Sequence, residues 1–324
     1  MATIAVIIVN YGTADLAIAA VESVFERDHG THKVDVHLLD NASPGDDADR
    51  MHQAIADRGW SDRVTFYPER ENHGFGRGNN VALQALAAGA TPPDYVFLLN
   101  PDARLKTNTI VELAEFLDAR PGAAIAGAGI DRPDGGRSVS AAFRFPGFVS
   151  EFETAARFGP ISRLTRRWTV SIPPDAPTQE VDWVAGAALL ARFSALAEVG
   201  FFDPDFFLYF EESELMHRVK AAGWQIWYYR DARVEHIAGA ATGMNAARRD
   251  SLPEYWFESW RFYFCKTHGP VGARLCAVAR LLGSYVHVAI SRLRGHAPSH
   301  APNFPSDFFR LAVRPLFRTS RNAR

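Results

Sequence analysis

Cysteine is scarce in this chain: two residues in 324, Cys265 and Cys276. Neither stands in a metal-ligand spacing, and the pair suits free buried thiols in a reducing compartment. Net charge is almost absent as well, since 35 Lys+Arg face 37 Asp+Glu for a formal total of -2, which argues against a dedicated nucleic-acid binder. The first residues carry no basic region and no small-residue cleavage site; they run directly into an apolar segment, Ile4 to Val9, so no secretory leader is expected. No apolar run is free of charge over a membrane-spanning length. The longest, from Val271 to Ile290, holds Arg274, Arg280 and His287, which predicts a buried or surface-lying helix in place of a span. Internal repeats and low-complexity tracts are also missing. What remains is ordinary globular composition, 47% hydrophobic and 22% charged, in a chain long enough for one large domain with an appendage or for two domains.

The small total conceals two opposite patches. Residues 248–324 hold 13 bases and 4 acids, a net +9, which leaves 22 bases and 33 acids, a net -11, for residues 1–247. The body is acidic and the tail is basic. Five arginines of the tail, Arg310, Arg314, Arg318, Arg321 and Arg324, share one face if their segment is helical. That face reads either as a solvated basic stripe on a frayed terminus or as an interfacial helix drawn to an anionic membrane surface.

The first hundred residues alternate strands with helices. Strands are expected at 4–9, 34–39, 64–67 and 95–99, and helices at 14–27, with Thr13 as cap, and at 79–88. Polar residues close successive strands, namely Asn10, Asp40 with Asn41, and Asn100 with Asp102, where open α/β sheets bind ligands. Residues 131–180 are rich in Pro and Gly and read as loops with a lid. Strand-like runs are expected at 181–190 and 206–210, a short helix at 193–199, a helix from the acidic cluster to about Ala222, a strand at 225–229, and helix from 253 onward.

Several constellations could carry chemistry. The first strand-to-helix turn, Asn10 to Thr13, lacks the triple-glycine fingerprint, which disfavours a nicotinamide dehydrogenase. The run GFGRGNN at 74–80 is either a tight turn into a helix or a loop that lets backbone and Arg77 approach a diphosphate. Asp40 could cap the following turn or meet a ligand, and Asp102 could start a turn or hold a hard cation. Glu211, Glu212 and Glu214 lie directly after Phe206, Phe207, Tyr209 and Phe210. A helix dipole accounts for acids at that point, whereas an aromatic setting raises proton affinity and suits a general base. His236 is either a satisfied core histidine or a metal ligand beside Asp102. A nucleotidyltransferase would want a basic phosphate loop near the first strand, and residues 9–15 contain no Lys or Arg.

Taken in order, VIIVNYG at 6–12, DN at 40–41, NHGFGRGNN at 72–80, LLNPD at 98–102, WVAGA at 183–187, FLYFEESEL at 207–215 and VEH at 234–236 resemble the inverting nucleotide-sugar glycosyltransferases of family 2, in particular their rhamnosyltransferase-like branch. The resemblance implies a GT-A α/β/α sandwich with a mixed, mainly parallel sheet and a C-terminal helical extension. It implies a glycosyltransferase domain over 1–247, with a nucleotide-binding half (1–102) and an acceptor-binding half (103–247), followed by a basic helical region (248–324). Asn10, Tyr11, Asp40, Asn72, Gly74, Arg77, Asn80, Asn100 and Asp102 would line the nucleotide sugar. Trp183 and Gly186 would border the sugar and acceptor. Asp102 and His236 would hold Mg²⁺ or Mn²⁺, and Glu212 would be the base, with Glu211 and Glu214 as alternatives. The implied reaction moves L-rhamnose, or a sugar from a uridine-diphosphate donor, to a glycan or lipid-linked glycan. The implied setting is cytoplasmic, extending to the inner face of the membrane, with a homodimer as one assembly. An inactive docking homologue is the reading from another class.

Overall fold

The computed structural model describes residues 1–135, 138–237, 252–299, 301 and 303–317. The chain opens with β1 (Thr3–Asn10), α1 (Ala14–Phe25), β2 (Lys33–Asp40), α2 (Asp47–Asp57), β3 (Val64–Pro68), α3 (Gly74–Ala88) and β4 (Tyr95–Leu99). β1, β2, β3 and β4 run parallel in the order β3-β2-β1-β4. β1 and β4 are apolar almost throughout because helices cover both faces of a parallel sheet.

Next come β5 (Ala103–Leu105), α4 (Thr109–Asp118), β6 (Ala123–Asp131), β7 (Ala142–Phe143), α5 (Phe148–Ala156), α6 (Gly159–Leu164) and a 3-10 turn at Arg166–Trp168. They are followed by β8 (Gln179–Val181), β9 (Trp183–Val184), β10 (Ala188–Arg192), α7 (Phe193–Val199), α8 (Glu211–Ala221) and β11 (Gln225–His236). β10 enters antiparallel between β4 and β6, and β11 lies parallel to β6, so the sheet continues as β4-β10-β6-β11-β5. Both halves of the chain therefore share one mixed sheet. β6 reads AAIAGAGID because β9 crosses close above it: a Cβ on Gly127 would sit 2.6 Å from the Val184 Cβ.

Several sequence expectations shift. The 206–210 run is no strand; Tyr209 and Phe210 have φ of 72° and 68°, left-handed values that a β-branched or aromatic residue rarely adopts. α3 starts at Gly74, five residues earlier than the sequence suggests, so the glycine run is the helix's first turns and not a loop before it. The 181–190 run breaks into parts of three strands. Within 131–180, the expected loop region, lie β7, α5 and α6. Cys276 is buried, which pushes its thiol up to about 12, but Cys265 is only half-buried.

The C-terminal region comprises α9 (Glu254–Leu293), α10 (Phe304–Phe308), a π-helical turn (Phe309–Val313) and α11 (Arg314–Phe317). α9 bends at Gly269, whose backbone is non-helical, before Pro270. Its first half forms a second core of Phe257, Trp260, Tyr263 and Phe264 against Phe304 and Phe308, and Phe206 from the body is buried in the same cluster. The best window of α9 is apolar and long enough to cross a membrane, with mean hydropathy 1.3 and 39% of it buried against protein. The domain boundary expected at 247 and the arginines at 318, 321 and 324 lie outside the described residues.

α5 packs along α9, and Gly283 lets the two backbones meet, since a Cβ there would strike the Phe152 carbonyl. Buried Glu151 on α5 joins them: its Oε2 accepts from Arg280 Nη1 at 2.8 Å and from Trp260 Nε1 at 2.7 Å. Burial pushes the Glu151 carboxyl up, and the guanidinium and indole pull it back. Glu151→Ala leaves Arg280 buried without its counter-charge, and we expect a loss of about 3 kcal/mol or more, read as a lower urea midpoint.

Candidate active site

The carboxyl ends of β1, β2 and β4 meet at one edge of the sheet. Asn10 and Asp40 are paired in register there, and both are buried. Asn10 Nδ2 donates to Asp40 Oδ1 (3.2 Å) and to Asp47 Oδ2 (3.2 Å), and its Oδ1 accepts from the Thr13 hydroxyl (2.8 Å). Ser43 closes the group, donating its backbone N–H to Asp40 Oδ2 at 3.1 Å and its hydroxyl to Oδ1 at 2.6 Å. Asp40 thus closes its own turn and also meets Asn10. Thr13 sits at the cap position, but its hydroxyl is spent on Asn10; Asp47 takes the first amide of α1, Ala14 N–H, at 2.9 Å. Tyr11 stands exposed at the rim of this group.

Asp47 and Ser43 escaped the sequence reading because α2 did. The signal was present: Asp46, Asp47 and Asp49 precede Met51 and Ile55, an acidic first turn followed by an apolar i,i+4 pair.

The NHGFGRGNN segment serves close packing. Asn41 Oδ1 accepts from His73 N–H at 2.9 Å, while its Nδ2 donates to Asn72 Oδ1 (3.1 Å) and Gly74 O (3.0 Å). Gly74 has φ 73°, and a Cβ there would fall deep inside the Phe207 carbonyl oxygen. Phe75 N–H donates to that same oxygen at 3.1 Å. Asn80 is buried and its amide is committed to Phe202, donating to its carbonyl (2.8 Å) and accepting from its N–H (3.0 Å). Arg77, half-buried, turns its Nε back to the His73 carbonyl at 2.9 Å. Of these residues, Asn72, Gly74 and Asn80 hold the site's framework together, with the Asn80 amide oxygen and nitrogen each bonded to the Phe202 backbone.

After β4, Asp102 is buried and lies 2.9 Å, Oδ1 to Nε2, from His236 at the end of β11; Asn100 Nδ2 stands 3.3 Å from the same ring nitrogen. If Nε2 carries the proton it donates to Asp102; if it does not, a lone pair faces a carboxylate and the pair wants a cation between them. Carboxylate oxygen, imidazole nitrogen and amide oxygen, the last after an amide flip, form a donor set suited to Mg²⁺ or Mn²⁺. Among the described residues no group of three His, Cys, Asp or Glu side chains gathers that could hold a metal by itself.

The acidic cluster opens α8. Phe210, in its left-handed conformation, accepts from Glu214 N–H (2.8 Å) and from the Ser213 hydroxyl (3.0 Å), which starts the helix abruptly. Two successive left-handed aromatic residues are strained, and packing holds them: Tyr209 lies against Tyr255, and Phe210 against Trp256 and Tyr263. The three glutamates then diverge. Glu214 grips Arg218 through Nε and Nη2 (2.8 to 3.0 Å), and Arg218 in turn binds the carbonyls of Val199 and Phe201. Glu211 is buried, with Oε2 unpartnered; burial first, and then the Glu212 charge, raise its carboxyl well above the ordinary range. Burial also raises Glu212, opposed by its own backbone N–H and that of Gly186. A Cβ on Gly186 would lie 3.5 Å from Glu212 Oε1 and 3.2 Å from the Phe75 ring.

One short link ties these groups together. Gly186 adjoins Glu212, and the next residue, Ala187, accepts the Asn100 N–H at 2.9 Å. The Glu212 carboxyl and the Asn100, Asp102 and His236 group therefore flank one point on the sheet edge. Trp183 is stacked on Phe143 at 4.1 Å, and its Nε1 donates to the Arg144 carbonyl at 3.0 Å, so it is a fixed wall.

Residues 5–173 match the model of the family described as glycosyl transferase family 2. The chain belongs to that family. It is a rhamnosyltransferase-like glycosyltransferase with the GT-A fold. It is 31% identical over 226 residues to the N-acetylglucosaminyl-diphospho-decaprenol L-rhamnosyltransferase of Mycobacterium tuberculosis, covering 66% of this chain and 70% of that one. It is 29% identical over 170 residues to the rhamnosyltransferase WbbL of Escherichia coli, covering 51% and 61%. The mannosyltransferase PcManGT from Pyrobaculum calidifontis, solved with GDP-Man and Mn²⁺, superposes with a TM-score of 0.57 at 16% identity, over 98% of this glycosyltransferase and 87% of that one. At that identity the likeness concerns the fold alone.

Proposed function

We propose that this glycosyltransferase moves L-rhamnose from deoxythymidine-diphosphate-rhamnose to a hydroxyl of a glycan or lipid-linked glycan, with inversion at the anomeric carbon. The observation that carries the reading is the placement of the Glu212 carboxyl beside Gly186, one residue from the backbone link to Asn100 and the Asp102–His236 pair. Both rhamnosyltransferase relatives support the sugar, and the decaprenol-linked acceptor in one relative's name supports the lipid.

In the proposed step the acceptor oxygen attacks the anomeric carbon as the bond from that carbon to the diphosphate oxygen breaks. The hydroxyl proton passes to the Glu212 carboxylate, and the nucleoside diphosphate leaves with the bonding electron pair. The raised carboxyl of buried Glu211 favours its neutral form beside half-buried Glu212, because two adjacent carboxylates with little access to water resist holding two charges. Asp102 and His236 would hold Mg²⁺ or Mn²⁺, which supplies positive charge to the departing diphosphate. Asn10 and Asp40 would line the nucleoside. Glu214 acts through Arg218 to hold α8 in place.

The expected setting is cytoplasmic, at the inner face of a membrane where a lipid-linked acceptor lies. The test is a thermal-shift screen of nucleotide sugars with and without Mn²⁺. Deoxythymidine-diphosphate-rhamnose should raise Tm most, and Asp102→Asn should remove the Mn²⁺-dependent part. A shift given by uridine-diphosphate sugars and not by deoxythymidine-diphosphate-rhamnose would reassign the donor.

A further inference from the structure

Beyond the Gly269 bend, α9 shows one face to solvent. Val271, Leu275, Val278, Leu282 and Tyr285 are all exposed, at 67%, 54%, 40%, 54% and 54%. Their spacing of 4, 3, 4 and 3 residues sets them in a single stripe. The opposite face is packed: Ala273, Cys276, Ala277, Gly283 and His287 are buried. The helix therefore lies flat on the protein, apolar side outward, and does not stand free to span a bilayer.

Charge decides what this face fits. From Glu258 to Asp307 the chain has no acidic residue. Arg274, Arg292 and Arg294 flank the stripe, and none has a carboxylate partner among the described residues. Arg274 instead donates to the Leu316 carbonyl at 2.9 Å and lies over Phe317, itself 54% exposed. At the far end Arg294 covers the Phe158 ring at 5.3 Å. That contact joins the stripe to a second apolar and basic segment, where Leu164 is 83% exposed and Arg167 stacks on exposed Trp168. Two copies of α9 meeting face to face would set arginine against arginine with no carboxylate on the stripe to pair. A bilayer with anionic headgroups answers both needs, apolar depth for the stripe and negative charge for its rim.

We propose that the second half of α9, with the 158–168 segment beside its end, is a docking surface for an anionic lipid bilayer. The docking does not depend on which sugar is transferred. Its use rests on the lipid-linked acceptor proposed above: in the first turn of α9, Tyr255 packs on Phe207 and Tyr209 next to the glutamates, so one helix connects the bilayer surface to the reacting centre. This assignment differs from the arginine stripe of the tail. In that segment Arg310 pairs with Asp307 at 3.2 Å, and Val313 and Leu316, off the arginine face, are buried.

The test is co-sedimentation of the full chain with vesicles of phosphatidylcholine alone or mixed with phosphatidylglycerol. Wild type should bind the mixed vesicles and release them in high salt. The double variant Leu275→Glu, Leu282→Glu, which alters only exposed positions, should bind about tenfold less or weaker still, with its Tm and its nucleotide-sugar thermal shift unchanged. That unchanged shift separates this proposal from the glycosyltransferase mechanism, which fails or stands by the shift alone. Equal binding by variant and wild type, equal binding to neutral vesicles, or no binding by wild type overturns the proposal. So does a wild-type dimer that the double variant converts to monomer without any vesicle binding, which would make the stripe a self-association face.

Discussion

Glu212→Gln is expected to lower sugar transfer by about a thousandfold or more, the scale of a lost general base, while the thermal shift given by the nucleotide sugar stays near its wild-type size. Gln keeps the shape of the side chain and its contact with the Gly186 amide, and it cannot take a proton. The measurement is release of nucleoside diphosphate in the presence of acceptor. Full turnover by the variant would sink the assignment and move attention to Glu211. The wild-type pH profile supplies a second reading of the same site. Burial raises the Glu212 carboxyl, so activity should fall on acidification at a pH above the ordinary glutamate range of about 4.3, and Glu212 must be unprotonated to act. The stability sign is opposite. A carboxyl whose folded pKa is raised, as at Glu211, favours the folded state most below its unfolded pKa, and that contribution is lost as pH climbs through the folded value.

Gly74→Ala should be the most damaging Gly→Ala change among the described residues. Its φ of 73° already disfavours an L side chain, and the added Cβ would collide with the Phe207 carbonyl. Relief would require α3 and the 206–210 segment to part, breaking the bond from Phe75 N–H to that carbonyl. The expected cost is about 3 kcal/mol or more, as strain and lost packing add. It should appear as a lower Tm together with loss of transfer, because the displaced segment carries Tyr209 and Phe210 and so positions Glu211 and Glu212. Gly12→Ala is the control: it has a similar φ of 69° but nothing within 4 Å of the added Cβ, so it should cost only the backbone strain, about 1 kcal/mol.

Much of the architecture was legible along the chain because the signals are local. Buried parallel strands are continuous apolar runs, and their ends are marked by polar residues such as Asn10, Asp40 and Asn100. The acidic start of α8 and the long C-terminal helix could be read in the same way. Of the elements that escaped notice, α2 carried its marks in an acidic first turn and an apolar i,i+4 pair, and β6 carried none. β6 is built of Ala and Gly, small because β9 crosses it, and neither periodicity nor β-propensity announces it. Residues 206–210 look like a strand by composition, yet Phe207 offers its carbonyl to Phe75 N–H at a position only glycine lets α3 approach, while Tyr255, Trp256 and Tyr263 hold Tyr209 and Phe210 in place. That preference is set by partners far away in sequence.

The site divides along the same line. Residue order alone brought Asp40, Asp102, Glu211 to Glu214 and His236 forward as chemistry-bearing groups, since each is a polar residue at the end of an apolar element. It could not distinguish three neighbouring glutamates, because their difference lies in what each side chain meets. Packing gives Arg218 to Glu214, solitude to Glu211 and the Gly186 amide to Glu212. It also spends Asn80 on Phe202 and recruits Asp47 from an unread helix. The opposite charges of body and tail are a property of composition, whereas the exposed stripe on α9 exists only because α5 and the last helices cover its other face. Sequence carries the identity of the groups; distance, burial and hydrogen-bond partners, which chain folding alone creates, decide what each is free to do.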